Sequence, residues 1–235
     1  MIKVEKLNKK FGKLIVLNNL DLEISNGGVF AILGPNGSGK TTLIKSILGM
    51  VIPNSGQIIY KGESILKKWE YRKNINYLPQ IANFPANLTV NELIKMVKNL
   101  RAEETNEQEL IETFGLTPFL KQKLGNLSGG TKQKVNIVLT FMFNNELIIL
   151  DEPTTGLDPI ALIILKDLIN KAKADGKTVL ITSHIMSFVE EISDEIVFLL
   201  DGKIYFKGTI ENLKSQTNSS SLEIAIANLI KKQYA

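Results

Sequence analysis

A chain of 235 residues, 44% of them hydrophobic, is long for one simple core and short for two full domains, so it points to a single α/β domain carrying an insert. A net charge of +4 is too small to argue for nucleic acid as a partner, and the lack of cysteine excludes disulfides and thiolate metal sites. Residues Met1 to Lys10 hold no apolar signal-peptide core, and the nearest approach to a membrane span, Val135 to Phe143, is short and interrupted by Asn136 and Thr140. The expectation is a soluble chain in the cytoplasm.

In chain order, Ile2 to Leu7 and Leu20 to Ile24 alternate in hydropathy and predict antiparallel strands. Val29 to Leu33 is a short apolar run suited to a buried parallel strand, and Thr42 to Leu48 has helical spacing. Between them lies Gly34-Pro35-Asn36-Gly37-Ser38-Gly39-Lys40-Thr41, which meets the spacing G-x-x-x-x-G-K-[ST] at every fixed position. Glycines let backbone wrap close to a polyphosphate, and the N–H groups of the loop and of the following helix start supply partial positive charge. Lys40 adds a full charge and Thr41 a hydroxyl for Mg²⁺, so the segment predicts a nucleoside triphosphate site.

Pro53 to Gly56 reads as a turn before a strand at Gln57 to Tyr60. From Gln80 to about Gly125 the pattern is helical: Thr89 and Glu92 form a capping box, with Leu93, Met96, Val97 and Leu100 expected on one apolar face. The α/β rhythm returns at Glu146, with strands at Leu147 to Leu150 and Thr178 to Thr182 and helices at Pro159 to about Lys173 and after Ser183. Asp201-Gly202 between two apolar runs predicts a hairpin. Ser215 to Ser221 is polar and expected to be flexible, ahead of an amphipathic helix capped by Ser220 and Glu223 that carries Leu222, Ile226, Leu229 and Ile230 on one side.

The strand Leu147 to Leu150 ends in Asp151-Glu152. In a parallel sheet beside the phosphate loop, its C-terminal end would deliver Asp151 to a metal shared with Thr41 and leave Glu152 to orient or deprotonate an attacking water. A guanine-specific enzyme should show N-K-x-D, and Asn170-Lys-Ala-Lys173 lacks the aspartate.

Leu127-Ser128-Gly129-Gly130 opens a further helix and offers a second anion site. Here the chain resembles the ATP-binding cassette (ABC) ATPases, whose signature motif this segment is similar to and whose other motifs follow in the family's order. Gln80 stands where the Q-loop glutamine stands, Gly156-Leu157-Asp158-Pro159 looks like the D-loop, and His184, the one histidine, looks like the switch histidine. Phe11 is similar in placement to the aromatic that stacks on adenine, and Thr131 and Lys134 depart from the Gln and Arg frequent in the signature helix.

The resemblance implies a P-loop NTPase core with a mostly parallel sheet, N-terminal antiparallel strands and an inserted helical subdomain. It places the core at 1–80 and 136–214, the helical subdomain at about 81–135, and a polar linker with a short helix at 215–235. It implies ATP held by Phe11, Gly34 through Thr42, Gln80 and, across a head-to-tail ATP-dependent homodimer, Ser128, Gly129, Gly130 and Asp158. Mg²⁺ would be held by Thr41, Gln80 and Asp151, with Glu152 and His184 catalytic. The implied partner is an integral membrane permease, the membrane being touched only through it, and Ile81, Phe84 and Pro85 are candidates for its docking groove. Soluble cassettes acting on ribosomes or DNA usually carry tandem cassettes or a long coiled coil, and this sequence has neither. The C-terminal half, in Gly156 to Ala161, Ile181 to Glu191, Asp194 to Gly208 and Leu222 to Ala227, is similar in wording to the copper-processing ATPases of nitrous oxide reductase maturation, within the exporter-like ABC-2 branch. The alternative is an exporter of a drug, lipid or polysaccharide.

Overall fold

A computed structural model describes residues 1–101 and 103–234. Four strands, β1 (Ile2–Phe11), β2 (Leu14–Ile24), β4 (Ser55–Tyr60) and β5 (Glu63–Ser64), form an antiparallel sheet in the order β2-β1-β4-β5. A second sheet of six strands has the order β10-β9-β3-β8-β7-β6. Its members are β3 (Gly28–Leu33), β6 (Ile75–Leu78), β7 (Leu147–Asp151), β8 (Thr178–Thr182), β9 (Glu195–Leu200) and β10 (Lys203–Gly208). All its pairings are parallel except the β9-β10 hairpin at the edge, where Asp201 and Gly202 both adopt positive φ as a two-residue turn of that hand requires.

Alternation along the parallel strands divides the core in two. Phe30 and Ile32 of β3 pack with Leu147 and Ile149 of β7 against the antiparallel sheet and α1 (Lys40–Ile47), through Leu43, Ile44 and Ile47. Val29, Ala31 and Leu33 face the other way with Ile148 and Leu150, onto a layer of helices: α4 (Gly129–Phe141), α5 (Pro159–Ala174), α6 (Met186–Ile192) and α8 (Leu222–Tyr234). Strands buried on both faces read as continuous apolar runs, which is why β3, β7 and β8 are legible from hydropathy alone.

Between β6 and β7 the chain forms α2 (Val90–Arg101), α3 (Glu107–Thr113) and α4. The expected capping box is present: Thr89 N donates to Glu92 Oε2 at 2.8 Å and Glu92 N donates to Thr89 Oγ1 at 3.2 Å. The apolar face of α2 differs from expectation. Val90, Leu93 and Ile94 are buried, whereas Met96 and Leu100 are 42% and 78% exposed, because the buried stripe follows positions 90, 93, 94 and 97.

The C-terminal region also departs from its reading. Ser215 to Thr217 are the last turn of α7 (Ile210–Thr217), closed by Asn218 in the left-handed conformation, and Asn228 Nδ2 donates to Ser219 Oγ at 3.1 Å across the turn. The hydroxyl that caps α8 belongs to Ser221, which accepts from Ile224 N at 3.3 Å, in place of Ser220. Leu222 and Ile226 are buried against the main core, in line with the spacing. No helix among the described residues is long and apolar enough to cross a membrane.

Thr89→Ala removes the hydroxyl half of the capping box, the bond from Glu92 N to Thr89 Oγ1, while the backbone N–H at that position still donates to Glu92, and should lower stability by about 1 kcal/mol, read as a lower urea midpoint at unchanged slope.

Candidate functional site

The C-terminal ends of β3, β7 and β8 lie side by side, since Ile32 and Asp151 are both opposite Thr182. The segments leaving these three strands therefore gather at one edge of the sheet, the usual crevice of open α/β folds.

After β3, the loop 34–39 turns through positive φ at Gly34, Gly37 and Gly39. A Cβ on Gly34 would lie 2.1 Å from the Leu199 carbonyl oxygen, so β9 backbone occupies the space any side chain would need. The loop is clasped on the same side by the hairpin, whose Gly202 N donates to the Ser38 carbonyl at 3.2 Å. Helix α1 starts at Gly39 with no side-chain cap and no acidic residue in its first turn, which leaves its leading N–H groups to an anion. Lys40 is only 8% exposed and donates from Nζ to the carbonyls of Gly34 at 2.7 Å and Pro35 at 3.2 Å. Burial holds the Lys40 ammonium below its ordinary pKa, opposed by the negative charges of Glu152 and Asp151. The buried Ser38 hydroxyl has no hydrogen-bond partner among the described residues.

After β7, Asp151 is 1% exposed and its Oδ1 accepts from Thr182 Oγ1 at 2.6 Å. Burial, with the Asp151 charge adding to it, pushes the nearby Tyr77 hydroxyl up to about 12. Glu152 has a φ of 51°, a left-handed conformation that costs a residue with a Cβ roughly 1–2 kcal/mol. Its N–H is fastened there, donating to both the Thr182 carbonyl at 3.1 Å and Thr182 Oγ1 at 3.0 Å. After β8, His184 Nδ1 lies 2.7 Å from Glu152 Oε2; an ionised carboxylate only accepts, so Nδ1 carries the proton of that bond. Thr182 is the residue that sequence reasoning misses. It reads as the end of an apolar strand, and the available signal is a hydroxyl two positions before His184 at the end of a strand in register with Asp151.

A cavity of about 380 Å³ opens at this edge, lined by Phe11, Leu14, Val16, Asn36 through Thr42, Gln80 and Glu152. It brings together most residues singled out for nucleotide and metal. Phe11 is half exposed in its wall, and Lys9 Nζ sits 4.8 Å from the ring centre. Thr41 and Gln80 share the cavity, while the buried Asp151 is not part of its lining.

Ser128, Gly129, Gly130 and Asp158 do not line it. Ser128 caps α4 by accepting from Thr131 N at 3.2 Å, and its hydroxyl lies 2.9 Å from that of Thr131. Gly130 packs directly on the Gly156 carbonyl, which a Cβ would approach to 2.6 Å. Asp158 caps α5 by accepting from Ala161 N at 2.8 Å, and Lys134 pairs with its other oxygen at 2.7 Å. That lysine is the main reason the Asp158 carboxyl is held below its ordinary range. The two departures from the family pattern, Thr131 and Lys134, thus both bond residues of the signature and D-loop segments.

The sequence profile of the family described as ABC transporter matches residues 17–155. The lantibiotic transport ATP-binding protein SrtF of Streptococcus pyogenes is 36% identical over 229 residues, covering 94% of this chain and 98% of its own. A solved ATP-binding subunit of an ABC transporter superposes with a TM-score of 0.90 at 30% identity, covering 98% of this chain and 99% of the other. A dimeric, post-hydrolysis structure of the ATP-binding cassette MJ0796 bound to ADP and Pi gives 0.78 at 26% identity, covering 89% and 98%. The ordered loops at one sheet edge and these likenesses agree, and the chain belongs to the ABC transporter family as an ATP-binding cassette ATPase.

Proposed function

We propose that this cassette powers an export-type transporter of the ABC-2 branch, acting as a head-to-tail homodimer beneath an integral membrane permease at the inner face of the cell membrane. The observation that carries the reading is the separation of two anion sites in one chain. The phosphate loop shares its cavity with Glu152, whereas the exposed Ser128-Gly129 turn lies outside it and is free to meet the γ-phosphate of a second copy. The dimeric state of the MJ0796 cassette supports this.

In this reading Phe11 stacks on adenine, and Gly34 through Thr42 hold the phosphates with Lys40 as counter-charge. The donor set suits Mg²⁺, which keeps few protein ligands and shares substrate phosphates: the Thr41 hydroxyl, Gln80 and Asp151 would hold it. Bound there, the ion would supply positive charge to offset that of the phosphates. Glu152 takes the proton of the attacking water, and His184 orients the carboxylate through its Nδ1 bond. The strained backbone of Glu152 presents that carboxylate to the cavity while Thr182 prevents relaxation.

The name of the SrtF relative, a lantibiotic transport ATP-binding protein, supports a lantibiotic-like cargo. The narrower copper-processing reading rests on wording in the C-terminal half, so the exporter is the broader reading that we favour. Expressing the chain with a candidate permease and scoring resistance to lantibiotics against copper-site maturation would separate the two.

Lys40→Ala should abolish nucleotide binding, followed with a fluorescent ATP analogue; retained affinity would move the triphosphate elsewhere. Glu152→Gln should keep binding, stop turnover and trap an ATP-dependent dimer visible by size-exclusion chromatography. Undiminished hydrolysis by that variant would make the carboxylate structural. Ser128→Arg should bind ATP as a monomer yet be inactive, and mixing it with Lys40→Ala chains should restore part of the activity through hybrid dimers with one intact composite site. Absence of any restoration would argue against the head-to-tail arrangement.

A further inference from the structure

Helix α4 starts at the Ser128 turn and then carries a polar stripe into the core. Gln133, Asn136 and Thr140, at 5%, 3% and 3% exposure, share one face of the helix. Amides are costly to bury unless they are bonded, so their partners indicate what they are for. Gln133 Nε2 donates to the Pro153 carbonyl at 3.0 Å. Asn136 Nδ2 donates to the Pro79 carbonyl at 3.2 Å and lies 3.5 Å from Gln133 Oε1. Pro79 is the first residue past β6 and immediately precedes Gln80; Pro153 immediately follows Glu152. Strands β6 and β7 are parallel neighbours with Leu78 opposite Leu150, so these two exits lie side by side and one helix grips both. Thr140 is different: its hydroxyl donates to the Asn136 carbonyl of its own helix at 2.8 Å, with a longer 3.5 Å approach to Tyr77 O.

We infer that Gln133 and Asn136 form a brace that sets Gln80 and Glu152 in position relative to the Ser128 turn, making both amides positioning residues for ATP hydrolysis. The inference rests on the functional reading above. Gln133 is about 7.5 Å along the helix axis from Ser128, five residues at about 1.5 Å rise each, with continuous helix between them. A displacement of the turn by a phosphate on a second copy is therefore delivered to both strand exits through a stiff element. The acceptors are backbone carbonyls, so what is steered is the path of the chain on either side of the reacting groups. Neither amide lines the cavity.

The test uses Gln133→Leu, Asn136→Leu, the double variant and Thr140→Val in the full chain. Each Leu variant should lower kcat by about 10-fold or more while KM and the affinity for a fluorescent ATP analogue stay within about 2-fold, the signature of misplaced chemistry and retained binding. The double variant should be little worse than the poorer single one, because the two bonds brace neighbouring exits that serve one reaction and so act as a unit. Backbone hydrogen exchange should quicken around residues 80–86 and 152–157 in both Leu variants. Thr140→Val, which removes a bond within the helix, should lower Tm and leave kcat alone. Unchanged kcat in the folded Leu variants, an equal kcat loss in Thr140→Val, or unaltered exchange at both segments would overturn the brace. Gln133→Met and Asn136→Ser carry the same test if a Leu variant does not fold. Failure of the functional reading is recognised separately, by undiminished hydrolysis in Glu152→Gln, and the exchange measurement decides the brace even then.

Discussion

A buried lysine beside the cavity, only 8% exposed as a residue, organises this edge of the molecule. Desolvation of Lys40 is unfavourable, and the chain offsets it with two carbonyls from its own loop and with the carboxylates at the end of β7. That arrangement requires the loop to curl back over the side chain, which requires glycine at 34, where β9 backbone leaves no room for a Cβ. It also requires β7 to sit near β3, with β8 between them. Loop, strand order and acid pair are thus parts of one solution to a single electrostatic problem.

A second constraint is the conformation of Glu152. A glutamate in the left-handed region would ordinarily relax, and Thr182 supplies the restraint twice, through its carbonyl and its hydroxyl, while the same hydroxyl bonds Asp151. One threonine on the adjacent strand therefore fixes both acids. Strain kept in place by neighbours is a recurring property of reacting centres, because it presents a group in a direction that an unstrained backbone would not choose.

Much of this architecture is legible in the amino-acid sequence. Doubly buried strands announce themselves as apolar runs, the Asp201-Gly202 turn by composition, and the phosphate loop and acid pair by spacing. The features that stay hidden depend on register between distant segments. Thr182 gains its role only by standing opposite Asp151, and Lys134 only by reaching Asp158 across two helix starts. Met96 and Leu100 mislead because a helical repeat alone admits more than one apolar stripe, and packing against the rest of the insert selects the one through Ile94. Ser221 is easily passed over for its neighbour because three serines in succession offer three helix starts.

The clasp on the phosphate loop also bears on how the chain is made. Leu199 and Gly202 press on Gly34 and Ser38 from far downstream in sequence, and β8 and β9 flank β3 on its two sides. A nascent chain that has displayed the whole glycine loop at the ribosome exit still lacks the walls that shape it, and it exposes β3 along both hydrogen-bonding edges. Contacts so distant along the polypeptide slow acquisition of the native topology and postpone it until nearly the entire cassette has been synthesised. Competence to hold a triphosphate should then arrive late and abruptly during translation, so that incomplete products do not draw on the nucleotide pool.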